Sequence, residues 1–221
     1  WRRSAVRSLG DIADKKVLDL CCGTGDLSKS LSKKGAAVVS LDFCRPMIIK
    51  GMERGAIRGS AVVADACLLP FKDGSFDMLT IAFGIRNIPD LGNFIRETKR
   101  VLKENGKLLI LELTRPENRF MARMHQLYLK RVLPAVGFMV SGKLTAYRYL
   151  SKTVRTFIAP ETLEERFAEH GFACSHRHHT MGVATIVECV RAGRAPAGRG
   201  EDARARAEER PAVDYSRVQP N

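Results

Sequence analysis

Residues 17–28 read VLDLCCGTGDLS. An apolar run that stops at two glycines and hands over to a polar stretch describes a buried strand, a tight turn and a helix start. Gly23 and Gly25 let the backbone pass close under a ligand, where side chains would collide with it. A lone Gly-x-Gly also fits an ordinary strand-to-helix turn, so its surroundings must carry the reading.

Those surroundings alternate. Lys16–Cys21 is the first strand, a helix over Asp26–Lys34 follows, and Ala37–Leu41 is the second strand. A helix opens at Pro46, a favoured first-turn residue. Ser60–Ala64 and Phe76–Ala82 are further strands, Asn93–Leu102 has helical spacing, and Lys107–Leu113 is a fifth run. Such alternation implies βαβ units and a mostly parallel sheet buried on both faces, an α/β fold. A helix over Glu161–His170 stops at Gly171, and Phe172–His179 with Val183–Val190 form an antiparallel closing pair, making seven strands.

Acids stand where this sheet would bind a ligand. Asp19 lies under the glycine turn, Asp42 closes the second strand, and Asp65-Ala66 follows the third. All converge on the carboxyl edge, where open α/β sheets hold ligands. A dinucleotide would place its pyrophosphate on the helix N-terminus. Here Asp26 occupies that end, and Ser28 replaces the third glycine of the dinucleotide fingerprint. A carboxylate there repels phosphate but tolerates an ammonium and a sulfonium. S-adenosylmethionine is the nucleoside that fits, with Asp42 accepting from its ribose and Asp65 near its adenine.

The chain has 221 residues and a formal net charge of +13, suiting one domain of moderate size. Most of the excess is local: residues 115–155 hold nine Lys/Arg against the single Glu117. The stretch 116–151 is basic, helical and rich in Met, Phe, Leu and Tyr, an insert before the last helix and strands. The single domain is 1–191. The Ala/Arg/Pro/Gly-rich stretch 192–221 is expected to be a disordered tail. Six cysteines, none in a Cys-x-x-Cys pair, are expected to be reduced and to serve as small hydrophobes. His176 and His178 share one face of an edge strand while His179 points away, and no acid or cysteine nearby in sequence completes a set. No metal is expected.

With these residues in view, the chain resembles the class I methyltransferases, with a Rossmann-like fold. More narrowly it resembles the ubiquinone/menaquinone biosynthesis C-methyltransferase family. The segments that carry the match are VLDLCCGTGD (17–26), AFGIRN (82–87), LELTRP (111–116), YRYLS (147–151) and FIAPET (157–162). The AFGIRN segment is the most specific, and the likeness spans roughly residues 1–190. It implies that Thr24, Asp42, Asp65 and Ala66 contact S-adenosylmethionine. Ala82 stands where some members have a contacting Ser, and it supplies no hydroxyl. Members usually carry a further helical N-terminal segment partly covering the site; a chain opening at Trp1 is expected to begin partway through a longer one.

The chemistry implied is methylation of a ring carbon of a prenylated quinol, from demethylmenaquinol to menaquinol, with a benzoquinol of ubiquinone biosynthesis as the alternative. A phenol ionises near pH ~10, so the ring needs help to become electron-rich. Arg86 is the candidate that stabilises the ionised oxygen, directly or through a water, and Asn87 is the candidate that holds it. His125, Tyr147 and Tyr149 in the insert are candidates for lining the substrate. An isoprenoid tail resides in a membrane, so peripheral contact with the headgroup surface is expected from the basic, apolar insert. A cytoplasmic protein working at the inner face of the membrane fits the lack of any spanning or signal-peptide pattern. A homodimer is compatible with the sequence, which does not set the oligomeric state.

Rivals are weaker. A nucleic-acid N-methyltransferase would carry Asn/Asp-Pro-Pro-aromatic after the fourth strand, and cytosine C5 chemistry commonly needs a Pro-Cys pair; neither occurs. Nucleic acid is therefore not an expected partner. A non-catalytic protein that binds S-adenosylmethionine is the alternative from a different class.

Overall fold

The computed structural model describes residues 1–116, 118–127, 153–154 and 157–193. Most of the 116–151 insert, with Tyr147 and Tyr149, and residues 194–221 lie outside that range.

The strand that leads into the glycine turn is β1 (Lys16–Leu20), and it lies inside the sheet, between β2 (Ala37–Asp42) and β4 (Phe76–Ala82). β3 (Ser60–Val63) pairs with β2, and β5 (Leu102–Leu113) with β4. Beyond β5 come β7 (Ala184–Arg191) and then β6 (Phe172–His179). The order is β3-β2-β1-β4-β5-β7-β6, and β7 alone runs antiparallel, to both of its neighbours. The mostly parallel seven-stranded sheet and its closing pair agree with the sequence reading.

Period-two alternation sends adjacent residues to opposite faces, and each face has its own core. Leu18, Leu20, Leu79, Ile81, Leu108 and Ile110 meet Phe94 and Ile95 of α4 (Leu91–Val101) and Phe167 of α6 (Pro160–Ala168). On the other face Val17, Met78, Leu109 and Leu111 meet Leu27 and Leu31 of α2 (Asp26–Ser32). Burying each such side chain contributes about 1.5–3 kcal/mol, which makes β1, β4 and β5 the stable centre. β3, half-exposed along its length, forms the looser margin. α3 (Arg45–Glu53) starts with Pro46 in its first turn, and Asp90 caps α4 by accepting from Asn93 N at 2.9 Å.

Two features depart from the sequence reading. A helix, α1 (Arg2–Ser8), precedes β1 and packs Ala5 and Val6, with Leu9 and Ile12 beyond it, on the α2 face of the sheet. The spacing 5, 9, 12 is helical, but seven residues with two leading arginines carry a weak signal. The second departure is covalent. Cys174 and Cys189 stand opposite each other in the β6–β7 register and form a disulfide, their Cα atoms 4.0 Å apart. Directly opposed residues of an antiparallel pair bring their Cβ atoms close. That corrects the expectation that all six cysteines are free; Cys21, Cys22, Cys44 and Cys67 are.

Candidate functional site

The carboxyl ends of β1–β4 enclose a cavity of ≈ 470 Å³, within the range of small-molecule sites. Asp42, Asp65 and Ala66 line it, with Cys21, Phe83 and Asn87. Among the described residues, no Lys, Arg or His lines it. The field inside is therefore set by two carboxylates.

Both carboxylates are fixed by their own neighbourhoods. Asp42 Oδ2 accepts from Gly23 N at 2.7 Å and Oδ1 from Cys44 N at 2.8 Å, so one side chain ties the glycine turn to the start of α3. Asp65 Oδ1 accepts from Cys67 N at 2.8 Å. Each carboxylate oxygen keeps a further lone pair for a ligand hydroxyl or amine.

Asp19 is placed differently. It is 1% exposed and stands in register with Ser40 on β2 and Thr80 on β4, a polar row across three strands. Ser28 Oγ donates to Asp19 Oδ2 at 2.5 Å, Thr80 Oγ1 to Oδ1 at 2.9 Å, and Ser40 Oγ to Ser28 Oγ at 2.9 Å. Burial pushes its carboxyl up to about 6, against the pull of those hydroxyls. Asp19 sits sealed beneath the turn and holds it up from below.

The two glycines differ. Gly23 has φ +56° and open space on its Cβ side, with only Met47 Cε at 3.6 Å. Gly25 has φ +78°, and a Cβ there would lie 2.4 Å from Ile57 Cγ1. The close approach expected of a ligand is, at Gly25, the approach of Ile57. Thr24 accepts from Arg54 Nη1 at 3.4 Å, and none of Gly23, Thr24 and Gly25 lines the cavity. Ala82 ends β4 and packs with the α2-side core, also away from the lining.

Beyond β4 the chain turns through a short 3-10 turn, Ile85–Asn87, which carries both candidate catalytic residues. Asn87 faces the cavity. Arg86 turns the other way: its Nη1 contacts Glu112 Oε1 near the end of β5, with the two side chains 10% and 2% exposed. Glu112 also accepts from Leu113 N at 2.7 Å. Burial pushes the Glu112 carboxyl up while contact with Arg86 pulls it down. Arg86 Nε is buried with no acceptor among the described residues. Arg86 is thus a paired cation with a donor to spare, and Glu112 is a site residue that the sequence reading quoted without giving it a role.

The thiols of Cys21 and Cys67 are pushed up by burial, to about 12 and about 11, and that of Cys22 rises further. They stay protonated near neutrality and act as small hydrophobes. His125, on α5 (Arg119–Leu127), is half-buried, and burial holds it below the ordinary imidazole range. It lines neither this cavity nor a second one of ≈ 590 Å³ at the end of β5, which Arg115, Arg119, Arg123, Phe157, Glu161 and His178 line.

At the far edge the structure supplies the acid missing from the local sequence around the histidines. His176 Nδ1 lies 2.9 Å from Glu164 Oε1 and its Nε2 lies 3.3 Å from Glu161 Oε1. Helix α6 brings both carboxylates to β6.

A seven-stranded sheet with one reversed strand next to last, and an acid-lined cavity at its carboxyl edge, define a Rossmann-like class I methyltransferase fold. Solved structures of that fold include an S-adenosylmethionine-dependent methyltransferase from Aquifex aeolicus, with a TM-score of 0.63 and 16% identity, over 86% of this chain and 89% of that one. The phosphoethanolamine N-methyltransferase 2 of Haemonchus contortus, in complex with S-adenosyl-L-methionine, aligns with a TM-score of 0.65 and 16% identity, over 86% of this chain and 52% of that one.

The chain belongs to the ubiE/COQ5 methyltransferase family, which matches residues 1–191. It is similar to the demethylmenaquinone methyltransferase of Thermus thermophilus, 42% identical over 84% of this chain and 87% of that protein. The demethylmenaquinone methyltransferase of Thermotoga maritima is 40% identical over 84% and 82%. The ubiquinone/menaquinone biosynthesis C-methyltransferase of Geobacter sulfurreducens is 36% identical over 84% and 76%.

Proposed function

We propose that the protein transfers a methyl group from S-adenosylmethionine to a ring carbon of a prenylated quinol, converting demethylmenaquinol to menaquinol. One observation carries the reading of the cofactor: among the described residues, the cavity at the carboxyl edge is lined by Asp42 and Asp65 and by no cation. A phosphate-bearing nucleotide is repelled there, and a nucleoside with an ammonium and a sulfonium fits. Asp42 then accepts from the ribose hydroxyls, Asp65 and Ala66 border the adenine, and Gly23 gives the methionyl part close passage. Thr24 and Gly25 shape the turn from outside, Asp19 supports it from beneath, and Ala82 closes the end of β4. The two relatives at 42% and 40% identity, both demethylmenaquinone methyltransferases, support the substrate.

The bound cofactor brings an activated methyl group, because a sulfonium is a good leaving group. The protein's task is alignment, water exclusion and control of one phenolic proton. Asn87, on the cavity wall, is placed to hold the quinol oxygen. Arg86 is fixed by Glu112 on the far side of the Ile85–Asn87 turn, so it acts on that oxygen through a water that takes the proton and not by direct contact. Glu112 neutralises part of the guanidinium's charge, so Arg86 acts by placement more than by a free positive field. The new carbon–carbon bond forms as the carbon–sulfur bond breaks, sulfur keeps the electron pair, and the displaced ring proton leaves to solvent. His125, with Tyr147 and Tyr149, belongs to the proposed substrate side.

Helix α5 supports peripheral membrane contact at the inner face of the cytoplasmic membrane. Phe120, Met124 and Leu127 are exposed beside Arg119 and Arg123, and no helix among the described residues is long and apolar enough to cross a bilayer. A homodimer remains part of the proposal, to be read by light scattering of the full chain.

The test is a turnover assay with a labelled methyl donor and a short-tail demethylmenaquinol. Transfer to the naphthoquinol is expected. Cofactor binding without transfer to any quinol would favour a non-catalytic protein instead. Faster transfer to a benzoquinol would favour ubiquinone biosynthesis, a second reading prompted by the Geobacter relative's printed name.

A further inference from the structure

We infer that Glu161, His176 and His178 form a binding site for one divalent metal ion of the zinc class, at the junction of α6 and β6 and separate from the methyl-transfer cavity. The potential ligand atoms of the three residues all lie within 4.8 Å of one another. His176 and His178 alternate on β6 and so share a face, their ring centroids 4.9 Å apart. Helix α6 packs against that face and delivers the carboxylate.

Distances fit the ion. With zinc–nitrogen and zinc–oxygen bonds of about 2.0–2.1 Å in a tetrahedron, neighbouring ligand atoms stand roughly 3.4 Å apart. His176 Nε2 and Glu161 Oε1 are 3.3 Å apart.

Each histidine is oriented by a contact at its Nδ1. Glu164 Oε1 lies 2.9 Å from His176 Nδ1, and a carboxylate only accepts, so Nδ1 carries a proton and Nε2 faces Glu161. A carboxylate behind a ligating histidine is the usual orienting partner in metal sites. For His178 the chain of donors is longer. Thr114 Oγ1 donates to Gly182 O at 2.8 Å, so in its 2.7 Å contact with Thr185 Oγ1 it must accept. Thr185 has then spent its proton and accepts from His178 Nδ1 at 2.9 Å.

Glu161 and His178 also line the ≈ 590 Å³ cavity, so the remaining coordination position opens onto Arg115, Arg119 and Arg123. Those cations favour a water or an anion as the fourth ligand. The methyl transfer proposed above uses none of these residues.

The experiment titrates the chelator-treated full chain with Zn²⁺ against a chromophoric competitor, and with Co²⁺ followed by visible absorption. One equivalent is expected to bind, with tetrahedral cobalt bands lacking thiolate charge transfer and a Zn²⁺-dependent rise in Tm. Glu161 is surface-exposed, so Glu161→Gln is expected to fold, to bind at least tenfold more weakly and to lose the Tm rise. His178→Ala should do the same. Unchanged affinity in both variants, or a thiolate band, would place the ion on the free cysteines and overturn the inference. No binding at all would also overturn it and leave Glu161, Glu164 and His176 a hydrogen-bonded cluster that ties α6 to β6. S-adenosylmethionine affinity of Glu161→Gln, measured alongside, should match the parent, which keeps this result distinct from the methyl-transfer reading.

Discussion

The two flanks of the sheet handle buried charge in opposite ways. On the β1–β2–β3 side, carboxylates are satisfied by hydroxyls and backbone amides: Asp19 by Ser28 and Thr80, Asp42 by Gly23 and Cys44. On the β5–β7–β6 side the buried carboxylate, Glu112, is answered by a side chain from another element, Arg86. The first flank keeps its negative charge and so can receive a cationic ligand. The second cancels its charge internally, and changes there should be felt first as lost stability.

The largest effect is expected at Glu112. Replacing it with Ala strands a buried guanidinium, and breaking such a pair costs about 3–5 kcal/mol. Urea unfolding of Glu112→Ala should show that loss and methyl transfer should fall with it; a loss below 1 kcal/mol would erase the contrast between the flanks. Substituting Ser for both Cys174 and Cys189 should cost about 3 kcal/mol, the chain-entropy figure for a loop of this length. Titration of the unfolded, unreduced chain should find four reactive thiols.

Asp19 is the test on the other flank. Its carboxyl at about 6 lies above the ordinary 3.8, so the native state holds the proton more tightly than the unfolded chain. Its stabilising contribution is greatest below pH 3.8 and falls as pH rises through about 6, by roughly 3 kcal/mol in all. Asp19→Asn should flatten that part of the stability profile, read as the difference from the parent in urea midpoints between pH 4 and pH 8. Asp42→Asn is expected to cost less stability and more ligand. A hydrogen bond to a charged group contributes about 1.5–3 kcal/mol, so calorimetry should find roughly 10- to 100-fold weaker binding of S-adenosylmethionine.

The same division explains what could be read from the amino-acid sequence. Strand ends on the ligand side are local events: an apolar run followed within a residue or two by Asp42 or Asp65 shows itself without knowledge of the partner strand. Seven strands, the glycine turn and the closing pair were legible for that reason. Glu112 was visible as a residue of LELTRP, but its role depends on β4 and β5 lying side by side, with Ala82 opposite Leu111. Cys174 and Cys189 are 15 positions apart, and only the β6–β7 register makes them neighbours. The carboxylates at His176 come from a helix ending before the strand begins, so a search along the local sequence could not find them. Among the expected cofactor residues, Asp42, Asp65 and Ala66 gather in the cavity, whereas Asp19, Gly23, Thr24, Gly25 and Ala82 surround it without lining it.

Asp42 holds Gly23 with one oxygen and Cys44 with the other. A ligand that adds bonds to this carboxylate would steady two loops at once, the entries to α2 and to α3. Amide exchange at Gly23 and at Cys44 should therefore slow together when the pocket fills, although the two residues lie on separate stretches of backbone.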